Sequence, residues 1–141
     1  MFSRAEWALL VFTLAYVGAF LVHFLFIGNA EFVGYIVTLF GFIALIAATQ
    51  HVARLPLWLM WALSVWGLAH MAGGGIRIDG AVLYAFVLVP LVGAGELVVL
   101  KYDQVVHFYG FGSTALVLWH VMRRNFPPLD GTRTLYVFAA L

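Results

Sequence analysis

Cysteine is absent from the 141 residues. That excludes disulfides, thiolate metal sites and cysteine nucleophiles. Charge is scarce as well: Asp, Glu, Lys and Arg make up 9% of the chain, against about a quarter in a soluble domain. A net charge of +1 leaves no basic footprint, which argues against a nucleic-acid partner. Internal repeats and low-complexity segments are missing too. What is present is apolar. Hydrophobic residues form 65% of the chain, gathered in long uncharged runs, and a spanning helix needs about 20 such residues. Tryptophan and tyrosine recur near the ends of the runs, as membrane-interface residues do. The composition predicts one integral membrane domain over 1–141, partnered by the lipid bilayer.

The runs predict an all-α membrane protein, a polytopic bundle of five transmembrane helices at about 7–27, 32–49, 55–72, 81–100 and 102–122. A tail follows over 123–141. Within it Leu135–Leu141 is apolar but too short to span, so it reads as the start of a sixth helix cut off by the chain end. A cleaved signal peptide is the rival reading of the first run, with small Gly28 and Ala30 at suitable offsets. The run exceeds the roughly 7–15 residues of a signal core, which favours a retained helix. Asn29 is a good N-cap for the second helix, and Glu31 suits its positive end. Gly73-Gly74-Gly75 is expected to end the third helix, with Asp79 capping the fourth. Pro90 should kink that fourth helix, loosened further by Gly93 and Gly95. Five crossings divide the cations three against four between the two sides, which sets no orientation. A fifth segment that dips in and returns would divide them six against one.

The chemistry-bearing stretch is Tyr102–Gly112, YDQVVHFYGFG, in which Asp103 and His107 are four apart and share a helix face. Threading five antiparallel crossings sorts the polar groups into two clusters. Glu96, Asp103 and His107 fall on the N-terminal side as an intramembrane polar cluster. His23, His70 and His120 fall on the far side as metal-ligand candidates. Each has a plain alternative. Asp103 can N-cap its helix beside Lys101, Glu96 can bond His107 or Lys101, and each histidine can bond a backbone carbonyl. An intramembrane acid is nonetheless a functional candidate by default.

His70-Met71-Ala72-Gly73-Gly74, then Tyr102-Asp103-Gln104-Val105-Val106-His107-Phe108 with Gly110 and Gly112, resembles the YjdF-like family of uncharacterised bacterial inner-membrane proteins. The Asp-x-x-x-His helix start also resembles, more weakly, the VanZ-like membrane proteins. The likeness covers a third to a half of the chain. The matched positions are His70, Gly73, Gly74, Asp103 and His107, whereas Pro90 and Glu96 belong to this sequence alone. The resemblance implies a polytopic fold and a bacterial inner membrane, and no activity.

Three functions compete. A membrane-embedded enzyme on a lipid-like substrate, in one version metal-dependent, would use His107 oriented by Asp103, with His70 and Glu96 as further ligand and acid. A small proton-coupled transporter would use the broken helix at Pro90, Gly93, Gly95 and Glu96. A structural or assembly subunit, alone, as a homo-oligomer or with a membrane partner, would use its polar residues as interhelical bonds. Catalytic candidates are therefore His107, Asp103, Glu96 and His70. Gly73, Gly74, Pro90 and Gly110 are the structural motif. No cofactor is indicated by any motif.

Overall fold

The computed structural model describes residues 3–90 and 98–125. Among these, the chain runs as α1 (Arg4–Phe26), α2 (Ala30–Ala53), α3 (Leu57–Gly75), the short strands β1 (Arg77–Ile78) and β2 (Ala81–Val82), a single 3₁₀ turn (Leu83–Ala85), β3 (Val87–Pro90), β4 (Val98–Lys101) and α4 (Tyr102–Asn125).

The helix starts follow local chemistry. Ser3 and Glu6 form a reciprocal capping box on α1. The Asn29 side chain accepts from the Phe32 N–H at 3.2 Å, as its N-cap position predicts. On α4 it is Gln104 that closes the first turn, accepting from the Lys101 N–H at 2.7 Å. Asp103 therefore sits inside the first turn and does not cap it.

The expectation of five transmembrane helices, with a sixth begun, is corrected. The described residues hold four α-helices, of which α1, α2 and α4 are long and apolar enough to cross a bilayer. In α3 three tryptophans, Ser64, His70 and a glycine tail dilute the aliphatic content. The described residues between 81 and 100 form no α-helix. β3 and β4 pair antiparallel, with Val87 opposite Lys101 and Pro90 opposite Val98. An apolar run has no periodicity to separate helix from buried strand. Here the β-branched valines and a proline unable to donate in a helix ladder favour the strand. Pro90 thus closes a strand and kinks no helix. Residues 91–97, including Gly93, Gly95 and Glu96, and the tail from 126 onward lie outside the described residues.

The link from α3 is a second small hairpin. Asp79 and Gly80 take positive φ of 51° and 83° between β1 and β2. This is the Asp-Gly two-residue turn that right-twisted strands prefer, so Asp79 is a turn residue and not a helix cap. Nor do the three glycines end α3. It continues through Gly75 to a C-cap at Ile76, because rings from other elements lie where side chains would be. A Cβ on Gly75 would come within 2.7 Å of Phe20, one on Gly74 would strike Phe32, and one on Gly73 would strike Tyr84.

Contacts set the directions. Thr13 meets Ser64 at 2.6 Å and His23 meets the Gly75 carbonyl at 2.9 Å, so α1 and α3 run parallel. Phe32 packs on His70 near the start of α2, while Gln50 brackets Leu55 near its end, so α2 runs against α3. Tyr102 bonds the Ala69 carbonyl and His120 the Arg54 carbonyl, so α4 also runs against α3. The helices alternate. One end of the bundle carries the hairpins, here the hairpin end; the other carries Arg54, Arg123 and Arg124, here the arginine end. Phe24, Phe32, Ile36 and Met71 form the core toward the first; Ala53, Leu55 and Leu59 form a smaller one toward the second.

Candidate functional site

Because β3 and β4 replace a crossing, α4 begins at the end where α3 finishes. That brings together His70, Asp103 and His107, which five crossings would have held on opposite sides. The His70 and His107 ring centroids are 6.3 Å apart. Tyr84, delivered by the 3₁₀ turn, fills the space between, 5.7 Å from His70 and 6.2 Å from His107. Tyr35, Phe32 and Trp66 complete the wall around His70.

The hydrogen bonds order the cluster. The Tyr84 hydroxyl donates to the His70 backbone carbonyl at 3.0 Å and also contacts His70 Nδ1. A hydroxyl with its one proton on the carbonyl receives from Nδ1–H. His70 then carries its proton on Nδ1, leaving the Nε2 lone pair. Burial pushes the Tyr84 hydroxyl above its ordinary value of 10.0, and the Asp103 carboxylate adds to this, so the phenol stays protonated at neutral pH. His107 Nδ1 lies 3.0 Å from Asp103 Oδ1 and 2.8 Å from the Asp103 carbonyl. The four-residue spacing read from the sequence does form the pair, and it turns the His107 Nδ1 toward Asp103 on the same helix. The Tyr102 hydroxyl fastens the start of α4 to α3 through the Ala69 carbonyl at 3.0 Å.

This cluster is not the intramembrane Glu96–Asp103–His107 group expected. The Asp103 and His107 side chains are each 47% exposed at the mouth of the bundle, and Glu96 lies outside the described residues. Nor do His23, His70 and His120 meet. His120 Nε2 is at the arginine end, 3.0 Å from the Arg54 carbonyl, and His23 is held by the Gly75 carbonyl. Among the described residues no three His, Asp or Glu side chains are grouped to hold a metal ion. Among the described residues the metal-assisted enzyme therefore lacks its ligand group, and Gly93, Gly95 and Glu96 of the broken-helix carrier lie outside them.

Of the motif glycines, Gly73 and Gly74 lie beneath Tyr84 and Phe32, and Gly110 lies against the Trp66 indole. All three allow close approach of a ring to a helix. Tyr84 and Tyr35 were not singled out by the sequence, and Tyr102 and Gln104 entered only as members of the quoted stretch. Tyr84 was hidden in a run read as spanning helix; the Asp-Gly turn just before it was the available signal that the chain reverses there. A cavity of about 520 Å³ also opens at this end, lined by His23, Asn29, Gly75 and Arg77 among others.

Three of the described helices, α1, α2 and α4, are hydrophobic and of membrane length, as in a membrane-associated protein. Comparison of the chain with family models, with curated proteins and with solved structures finds no match.

Proposed function

We propose that the chain is a multi-pass membrane protein with a structural role, its polar side chains fastening helices and cap to one another. The observation that carries this reading is where those side chains end. Thr13 bonds Ser64, His23 the Gly75 carbonyl, Tyr84 His70, Tyr102 the Ala69 carbonyl and His120 the Arg54 carbonyl. Each joins two elements of the chain, and such bonds are worth about 0.6 kcal/mol on average in a membrane. The outer faces carry large apolar side chains, with Phe26 90%, Val37 67% and Phe108 83% exposed, the kind of surface that lipid or a neighbouring helix covers.

The cations support an orientation. Among the described residues Arg4, Arg54, Arg123 and Arg124 stand at one end and Arg77 and Lys101 at the other. Positive-inside bias then puts the arginine end in the cytoplasm and the hairpin end outside. Kinship with the YjdF-like proteins is part of the same proposal. Its support is that His70, Gly73, Gly74, Asp103 and His107, the positions of that likeness, gather at one end of the bundle.

Thermal unfolding in detergent tests the structural role. Tyr102→Phe and His23→Ala should each lower the Tm; unchanged Tm in both would refute it. The absence of native cysteine makes orientation readable without background. Asp79→Cys should react with an impermeant maleimide from outside the cell and Arg124→Cys should not.

A further inference from the structure

Two imidazoles meet across the seam between α3 and α4 at the hairpin end, and each has one nitrogen left to take a proton. His70 keeps its proton on Nδ1 against the Tyr84 hydroxyl, and His107 turns its Nδ1 onto Asp103. A second proton on either ring therefore goes to Nε2. Their surroundings differ. His107 is half exposed and has the Asp103 carboxylate 3.0 Å from Nδ1, so its cation meets both water and an anion. His70 is walled by rings. Phe32 and Tyr35 come from α2, Trp66 from its own helix, Tyr84 from the 3₁₀ turn and His107 from α4. The acid on α2, Glu31, stands behind Tyr35, taking its hydroxyl proton at 2.8 Å. In the described part of the hairpins Arg77, Asp79 and Lys101 are exposed, where water and salt screen them.

We infer that this pair is an acid-sensitive latch: with both imidazoles protonated, α4 and the hairpin cap release from α3. One charge is compatible with the closed cluster, because Asp103 balances it. Two charges place cations on rings 6.3 Å apart, with Asp103 already committed to His107. The unfolded chain holds its histidines apart and hydrated, and takes both protons without that repulsion. Acid therefore favours the open form. Closure is complete at neutral pH and above, and it is lost as pH falls below the ordinary histidine range near 6.5. Two backbone bonds tie the cap: Leu83 N–H to the Ile76 carbonyl at 2.8 Å and Tyr102 N–H to the Phe86 carbonyl at 2.9 Å. The open form gives up both. The latch rests on the fastening role proposed above for Tyr84 and Tyr102, and makes that fastening conditional on pH. With the hairpin end outside the cell, external acid reaches it directly.

Native-state hydrogen exchange of the full chain in detergent, corrected for the intrinsic pH dependence of exchange, reads these two amides. The Arg54 N–H, bonded to the Gln50 carbonyl at 2.9 Å at the arginine end, is the internal control. Between about pH 7 and pH 5, protection at Leu83 and Tyr102 should fall about tenfold relative to Arg54, the factor that accompanies one pH unit of proton linkage. His107→Gln should abolish the fall, and so should His70→Gln. A fall that persists in His107→Gln overturns the latch, as do equal changes at all three amides or unchanged protection in the wild type. Where His70→Gln fails to fold, His107→Gln decides alone, since its side chain is half exposed. The two levels separate cleanly. Unchanged Tm in Tyr102→Phe and His23→Ala refutes the fastening role, whereas a lowered Tm there with pH-independent protection refutes the latch alone.

Discussion

The two ends of the bundle solve different problems with similar residues. At the hairpin end, histidine and tyrosine turn inward: Tyr84 on His70, Tyr102 on α3, rings laid over Gly73, Gly74 and Gly75. At the arginine end, a single histidine ties the helices at Arg54, and the cations Arg54, Arg123 and Arg124 are exposed. One end is closed by contact and the other displays charge. A histidine's role therefore follows from what stands beside its Nδ1 and Nε2, and its depth along a helix says little. His70 and His120 were grouped by depth in the sequence, yet they lie at opposite ends.

Substitutions that fill the closed end should do the most damage. Gly74→Val would drive its side chain into Phe32, costing about 1–3 kcal/mol and several degrees of Tm in detergent. Gly34→Ala and Gly41→Ala on α2, with open space around each, should leave Tm unchanged or slightly raised. A similar loss in all three would erase the contrast between a packed end and an open helix face. Tyr84→Phe comes next. It strips both hydroxyl contacts from His70, at about 1 kcal/mol for half-buried groups left unpaired.

The same hydroxyl carries a pH signature. Because burial raises its folded pKa, its contribution is complete below the unfolded value of about 10 and is lost as pH rises above it. Wild-type Tm should therefore fall more steeply above pH 10 than that of Tyr84→Phe; parallel curves would remove the effect. At the open end the changes are smaller. His120→Ala should cost about 0.6 kcal/mol. Arg54→Gly should gain a few tenths of a kcal/mol, since Arg54 holds a φ of 46° that glycine adopts without strain. The Tm of each checks these signs.

Much of this contrast could be read in advance, and the part that could not has a physical cause. The helix start at Asn29 and the Asp103–His107 pair depend on local spacing and emerged as hydrogen bonds; the Ser3-Glu6 capping box is equally local but was passed over, the first helix being started at residue 7. The error came at residues 81–100, where uniform apolarity suits strand and helix alike. That one misreading reversed the sense of α4 and sent Asp103 and His107 to the wrong end. The Asp79-Gly80 turn held the correction, since it reverses the chain immediately after α3. Gly73–Gly75 misled for a related reason. Glycine weakens a helix in isolation, but a buried helix surrounded by rings needs the missing side chains.

Those three glycines also impose an order of assembly. The rings seated on them come from α1 (Phe20), α2 (Phe32) and the turn after β2 (Tyr84). The first two are synthesised before the glycines and the third after them. As the chain emerges from its N-terminus, the end of α3 meets two waiting rings at once. Tyr84 arrives later and can settle only on a helix end already in place. The hairpin cap is then the last part to close before α4 docks, and the first that a slow or stalled chain would leave open.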